Sequence, residues 1–324
     1  MARKPGLKEQ LEYLAELDPD TLSDEQRRKV LSFLDKGHPR LVAKAVNLVS
    51  RSDAGVPLNV LTTLFDRCMA DPVGADPGCE IKVAVIKTLD QMKTEDPGIH
   101  LRAVQHIQRE NAYPEPIDTA AGLRGIAFAG LVWMGYREIH FLAVKRLVDP
   151  EPETRQLVVQ AMGHIGSESA ELLLRMKLAT GDPDTGVLGD CFSSLMLLEP
   201  DRSLELAAAY LKHADTSLVS SAALAIGESR HEKAFSVLRK HWDAVPTPYS
   251  REELLLPMAL IRDEDSRNFL ISLLEEGNNR HAQGVFQALR FYRGDQAIRD
   301  RIELILKTQG KSQWNDYYRN YFDR

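Results

Sequence analysis

A run of aspartates sets the constraint under which this chain folds. Asp118, Asp149, Asp182 and Asp215 stand 31, 33 and 33 residues apart, each followed by Pro or Thr and then by an apolar helical pattern. An Asp in that position accepts hydrogen bonds from the orphan amides of a helix's first turn, and a following Pro already holds the φ that turn needs. His38-Pro39, Asp76-Pro77, a Pro248-Tyr249-Ser250 variant and Asn278-Asn279 mark further starts. A period of this length signals stacked helical hairpins, none of which buries its apolar face alone.

The best-formed unit runs from Asp149 to Ala179. Its first helix is apolar at Val158, Ala161, Met162 and Ile165, which follows i, i+3, i+4, i+7. A turn at Ile165-Gly166-Ser167 leads to a second helix lined by Ala170, Leu173, Leu174 and Leu178. The same alternation continues through Leu204, Ala207, Ala208 and Leu211, and β-branched alternation is too short to indicate strands. The expected class is therefore all-α. Loops at 71–78, 111–118 and 244–250 interrupt the stack but are short and stiffened by Pro.

Both ends read as caps, which a stack requires because its last faces meet water. Residues 1–37 hold two short helices, lined by Leu11, Leu14 and Leu17 and by Val30, Leu31, Phe33 and Leu34. Residues 309–324 place Trp314, Tyr317, Tyr318 and Tyr321 at helical spacing, with Phe322 beside them. That aromatic helix either seals the last repeat or presents a docking surface. The repeat region lies between, at 38–308.

Composition narrows the function. A formal net charge of −6 argues against non-specific nucleic-acid binding, which draws on a basic surface. Three cysteines, with no C-x-x-C pair, fit reduced thiols in a reducing compartment. No signal peptide and no membrane-spanning apolar run is evident, so a cytoplasmic location is expected. Histidine spacing shows no metal motif, and neither a phosphate-binding glycine loop nor a nucleophile elbow occurs. No cofactor, metal or catalytic residue is expected.

The unit D-P-x-x-x-x-R-x-x-x-x-x-A-x-G-x-I-G resembles HEAT repeats, especially the short class first named from phycobilisome lyases. Asp149, Arg155, Ala161, Gly163, Ile165 and Gly166 carry the resemblance, and Asp118/Arg124 and Asp76/Lys82 repeat its Asp–cation pair. It implies a right-handed superhelical α-solenoid of about eight antiparallel helix pairs (an αα-superhelix). It also implies an Asp–Arg ladder between neighbouring repeats, one that lapses where Leu188 and Ser221 replace the cation. The helices starting near 39, 79, 119, 151, 184, 216, 250 and 279 would line the concave face, and those near 57, 97, 137, 167, 200, 230, 263 and 294 the outer one.

On that concave face the helix at 119–135 is apolar nearly all round, with Arg124 its only charge. Either its neighbours bury it, or Phe128, Trp133 and Met134 open a groove. The next inner helix adds Arg155 and a polar line of Gln156, Gln160 and His164. Together Arg124, Phe128, Trp133, Arg155, Gln156, Gln160 and His164 form the candidate partner surface. Basic residues at outer-helix ends (Lys145, Arg146, Lys177, Lys212, Arg239, Lys240) form either an electropositive edge or ordinary compensation of helix dipoles. The expected function is a non-catalytic scaffold that binds another protein. The alternative is a HEAT-fold enzyme, either a bilin lyase-like factor or a DNA glycosylase for alkylated bases.

Overall fold

A computed structural model describes residues 6–51, 56–245 and 248–323, which form twenty α-helices and one two-stranded ribbon. Residues 1–5 of the expected N-terminal cap, and 246 and 247 of the third expected loop, lie outside the described residues. The chain divides into two compact units, residues 1–162 and 163–324, a boundary inside the repeat region that reads as continuous in the sequence.

The first unit contains α1 (Leu7–Glu16), α2 (Asp24–Lys36), α3 (Pro39–Ser50), α4 (Leu58–Ala70), the single turn α5 (Pro72–Ala75), α6 (Glu80–Gln91) and α7 (Gly98–Ala103). An antiparallel ribbon follows, β1 (Arg109–Glu110) against β2 (Ile117–Asp118), with Arg109 opposite Asp118. Then come α8 (Ala121–Trp133), α9 (Ile139–Arg146) and α10 (Pro152–Met162). Helices α3, α6, α8 and α10 stack in chain order. Both α1 and α2 pack on α3; α4 lies on α6, α7 on α8, and α9 against α8 and α10.

The second unit repeats the scheme with α11 (Glu168–Thr180), α12 (Thr185–Leu198), α13 (Pro200–Tyr210), α14 (Thr216–Ser229), α15 (Ala234–Ala244), α16 (Pro248–Ile261), α17 (Glu264–Glu275), α18 (Asn279–Leu289), α19 (Gln296–Gln309) and α20 (Ser312–Phe322). Here α12, α14, α16 and α18 stack in turn, flanked by α11, α13, α15 and α17, and α20 packs on α18.

The marker aspartates act as the capping chemistry requires, with shifts of a few residues. Asp76 accepts the Ile81 and Lys82 amides at 2.8 and 3.0 Å, inside the first turn of α6. Asp215 accepts the Ser217 amide at 2.9 Å, and Asn278 the Arg280 amide at 2.9 Å. At α12 the cap is Asp184 rather than Asp182: Asp184 takes the Gly186 amide at 2.8 Å, while Asp182 accepts the Asp184 amide and pairs with Lys177 at 2.7 Å. Asp182 thus holds the turn before the helix, and its expected role as the helix start passes two residues on.

Close approach of α8 to α10 decides the fate of the apolar helix. A Cβ on Gly125 would lie 2.4 Å from the Leu157 Cβ, and one on Gly122 would lie 2.6 Å from Glu153 Oε1. Two glycines three apart on one face therefore let α10 press onto α8. The buried Thr154 hydroxyl then donates to the Ala121 carbonyl at 2.9 Å. From Ala121 to Val132 no residue of α8 is exposed. Most of the helix body is buried, with Gly122, Ile126, Ala129 and Val132 forming a partly exposed stripe, and Trp133 at the C-terminal end is exposed.

Candidate functional site

Arg124, 1% exposed, links three segments. Its guanidinium reaches Asp118 Oδ2 at 2.7 Å and grips Asp149 through two hydrogen bonds of 3.0 and 2.8 Å. It also donates to the His106 carbonyl at 2.9 Å. Asp149 immediately precedes α10, so one guanidinium bridges neighbouring helical hairpins by the bidentate geometry that Arg favours. Arg146 adds a further bond to Asp149 at 2.8 Å. Burial alone would raise the Asp118 carboxyl, but the amides of Gln108 and Ala120 and the Arg124 guanidinium hold it below the usual carboxylate range. At the start of α6, Lys82 and Asp76 pair at 3.0 Å with both side chains fully buried.

This network corrects part of the candidate surface. Arg124, Phe128 and Arg155 are all buried, and Arg155 donates at 2.7 Å to the Asp149 carbonyl. None of the three offers itself to a partner: Arg124 joins neighbouring hairpins, Arg155 holds the turn before its own helix, and Phe128 fills the core. Trp133 is 74% exposed, Gln160 is exposed and Gln156 is half-buried. His164 is exposed and belongs to the second unit.

Trp133 and Met134, at the C-terminal end of α8, line a cavity of about 840 Å³ together with Gly130 and Asp90, Gln91, Lys93, Thr94 and Glu95 from the end of α6 and the loop after it. That volume lies within the roughly 300–1,000 Å³ typical of small-ligand clefts. The Asp90 carboxylate is anchored from behind. His100 of α7, wholly buried, holds Asp90 Oδ1 at 2.9 Å from its Nε2. The carboxylate can only accept, so Nε2 donates. A methyl group at position 130 would stand 2.5 Å from Asp90 Oδ1 and 2.6 Å from His100 Cδ2, so glycine there admits the pair against α8. The other ring nitrogen, Nδ1, is sealed from solvent without a hydrogen-bond partner. This imidazole is thus shaped to orient a carboxylate, with no open edge through which to exchange a proton with a bound ligand.

The aromatic tail also resolves by burial. Trp314, Tyr318 and Phe322 face inward, and Tyr317 and Tyr321 are half-buried. Trp314 meets Phe286 of α18 edge-on at 6.0 Å, and the Tyr318 hydroxyl donates to Glu303 at 2.9 Å. The inward aromatics of α20 thus pack on α18. Among the basic outer-helix ends, Arg146 is bound to Asp149, Lys177 to Asp182 and Arg239 to Asp243, while Lys212 is exposed. Half of the expected positive edge is thus taken up by internal pairs.

Among the described residues no group of three or more His, Cys, Asp or Glu is placed to hold a metal ion, and no helix is long and apolar enough to cross a membrane. Asp90, Lys93, Glu95 and His100 escape sequence reading because they form no motif and lie some 30 to 40 residues before Gly130 and Trp133. The one local hint is Gly130, a glycine inside an apolar helical stretch. No protein-family model matches the chain, and no curated protein is found to match it.

Proposed function

We propose that this protein is a non-catalytic interaction scaffold, a HEAT-like right-handed superhelical α-solenoid of about eight antiparallel helix pairs. It docks a protein partner at the end of α8. The stacking of alternate helices within each unit, and the Asp118–Arg124–Asp149 bridge between successive repeats, support the fold reading. The observation that carries the functional reading is Trp133, a large aromatic side chain 74% exposed at the rim of a formed cavity. Tryptophan is enriched among the anchors of protein interfaces, because it buries a large area at little entropic cost. The negative net charge favours a protein over a nucleic-acid partner. Three reduced, buried thiols fit a cytoplasmic setting.

Affinity capture from the cell of origin tests the reading, with wild type, Trp133→Ala and, as a surface control, Leu304→Ala. Leu304 is 64% exposed in the second unit. The expected result is a protein retained by wild type and Leu304→Ala and lost from Trp133→Ala. Recovery of the same set by all three overturns the reading.

A further inference from the structure

We infer that the cavity beside Trp133 receives the guanidinium or ammonium group of a basic segment on the partner. The inference rests on the docking reading above and specifies its chemistry.

Three features of the cavity converge on a positive charge. The first is carboxylate. Asp90 and Glu95 line the wall against a single cation, Lys93. Asp90 is not a loose surface acid: His100 fixes one oxygen and Gly130 admits it to the α8 surface, while the side chain keeps 30% of its area exposed. An oriented carboxylate loses little freedom when it accepts a charge-assisted hydrogen bond.

The second feature is the pair of helix ends. Both α6 and α8 terminate at this cavity, and the last turn of each carries no basic residue. Carbonyl groups at a helix C-terminus present partial negative charge, and the one cation among the lining residues beside these two ends is Lys93, two residues past the end of α6. Two C-termini without a cation in their last turns point the same way as the carboxylates.

The third feature is the lining. Trp133 supplies an indole and Met134 a polarizable thioether, and a cation over an indole face is attracted by the ring quadrupole. An apolar wall also suits the methylene stem of Arg or Lys, whose charged head would reach Asp90. An acidic segment would meet two carboxylates and two negative helix ends.

The test uses the full chain with 15N-labelled indoles. Trp242 and Trp314 are buried, so the Trp133 signal reports on the cavity while the other two report on the core. The probes are acetyl-tetra-arginine amide and acetyl-tetra-glutamate amide. The arginine peptide is expected to shift the Trp133 signal saturably, leaving Trp242 and Trp314 in place, and the glutamate peptide to leave all three unmoved. Asp90→Asn is expected to weaken binding about tenfold. Glu95→Gln, in an exposed loop where loss of folding is not at issue, is expected to weaken it about threefold.

An unmoved Trp133 signal, an equal response to both peptides, or unchanged affinity in Glu95→Gln overturns the inference. If the arginine peptide fails while capture through Trp133 succeeds, the charge assignment falls and the docking reading stands. If the peptide binds while capture shows no dependence on Trp133, the docking reading falls and takes with it the partner segment proposed here.

Discussion

Arg124 shows how a single side chain can tie neighbouring helical hairpins together and also mislead a surface reading. In a helix otherwise free of charge it resembles a binding residue, yet it is buried between Asp118 and Asp149. Removing it would strip Asp118 of its guanidinium and leave Asp149 with only the Arg146 bond. Arg124→Ala is therefore expected to cost about 3–5 kcal/mol in denaturant unfolding, most of it the penalty of the stranded acids. Arg124→Lys should recover only part, since an ammonium cannot reproduce the two bonds to Asp149. A loss below about 1 kcal/mol for the alanine variant would show that the bridge does not hold the stack.

The three thiols give a second prediction at this scale. Burial pushes Cys68 up to about 11 and Cys79 and Cys191 up to about 12. A thiol that keeps its proton in the folded chain but loses it in the unfolded chain subtracts stability as pH rises. Below the ordinary value of 9.0 the contribution is intact, and it is lost progressively as pH climbs from there through the folded values. Melting temperatures should thus fall between about pH 9 and about pH 11, and the fall should be smaller in Cys191→Ala. A disulfide-exchange reagent should label no cysteine in the native chain and all three after unfolding.

At the scale of elements, the aromatic tail separates two readings that sequence leaves level. Trp314, Tyr318 and Phe322 point into the fold, so α20 shields Phe286 and the end of α18 from water. Trp314→Ala is expected to destabilise by about 3–5 kcal/mol and Tyr321→Ala by about 1 kcal/mol or less, read from urea midpoints. Equal small effects would mean that the helix is an ornament and its face a docking surface after all.

Helix α8 carries the complementary lesson. Its apolar pattern was plain from the sequence, but which residues were sealed depended on Gly122 and Gly125 meeting Glu153 and Leu157 of another helix. A hydrophobic pattern identifies a face; only the neighbour's distance says whether that face is closed. Phe128 is sealed in the core, while Trp133, three residues beyond the buried Gly130, is exposed.

Across the whole molecule, helix positions were legible because their signals are local. Capping residues and apolar spacing act within one or two turns, and the helices begin within a few residues of the marked positions. The first members of the hairpins start at Pro39, Glu80, Ala121, Pro152, Thr185, Thr216, Pro248 and Asn279. The cavity was half legible. Trp133 stood out as an aromatic at the end of an apolar helix, whereas Asp90 and His100 acquire meaning only when α6, α7 and α8 are packed together. No local rule joins a carboxylate at the end of one helix to a glycine in another.

The central claim is that a partner docks at Trp133. It is tested most directly by placing a benzophenone amino acid at position 133 and, in a separate chain, at position 304, then irradiating in the cell of origin. Both sites are exposed, so each photoprobe meets whatever passes. The account predicts a discrete protein adduct from position 133 and none of that mass from position 304. The same adducts from both positions, or none from 133, would contradict it.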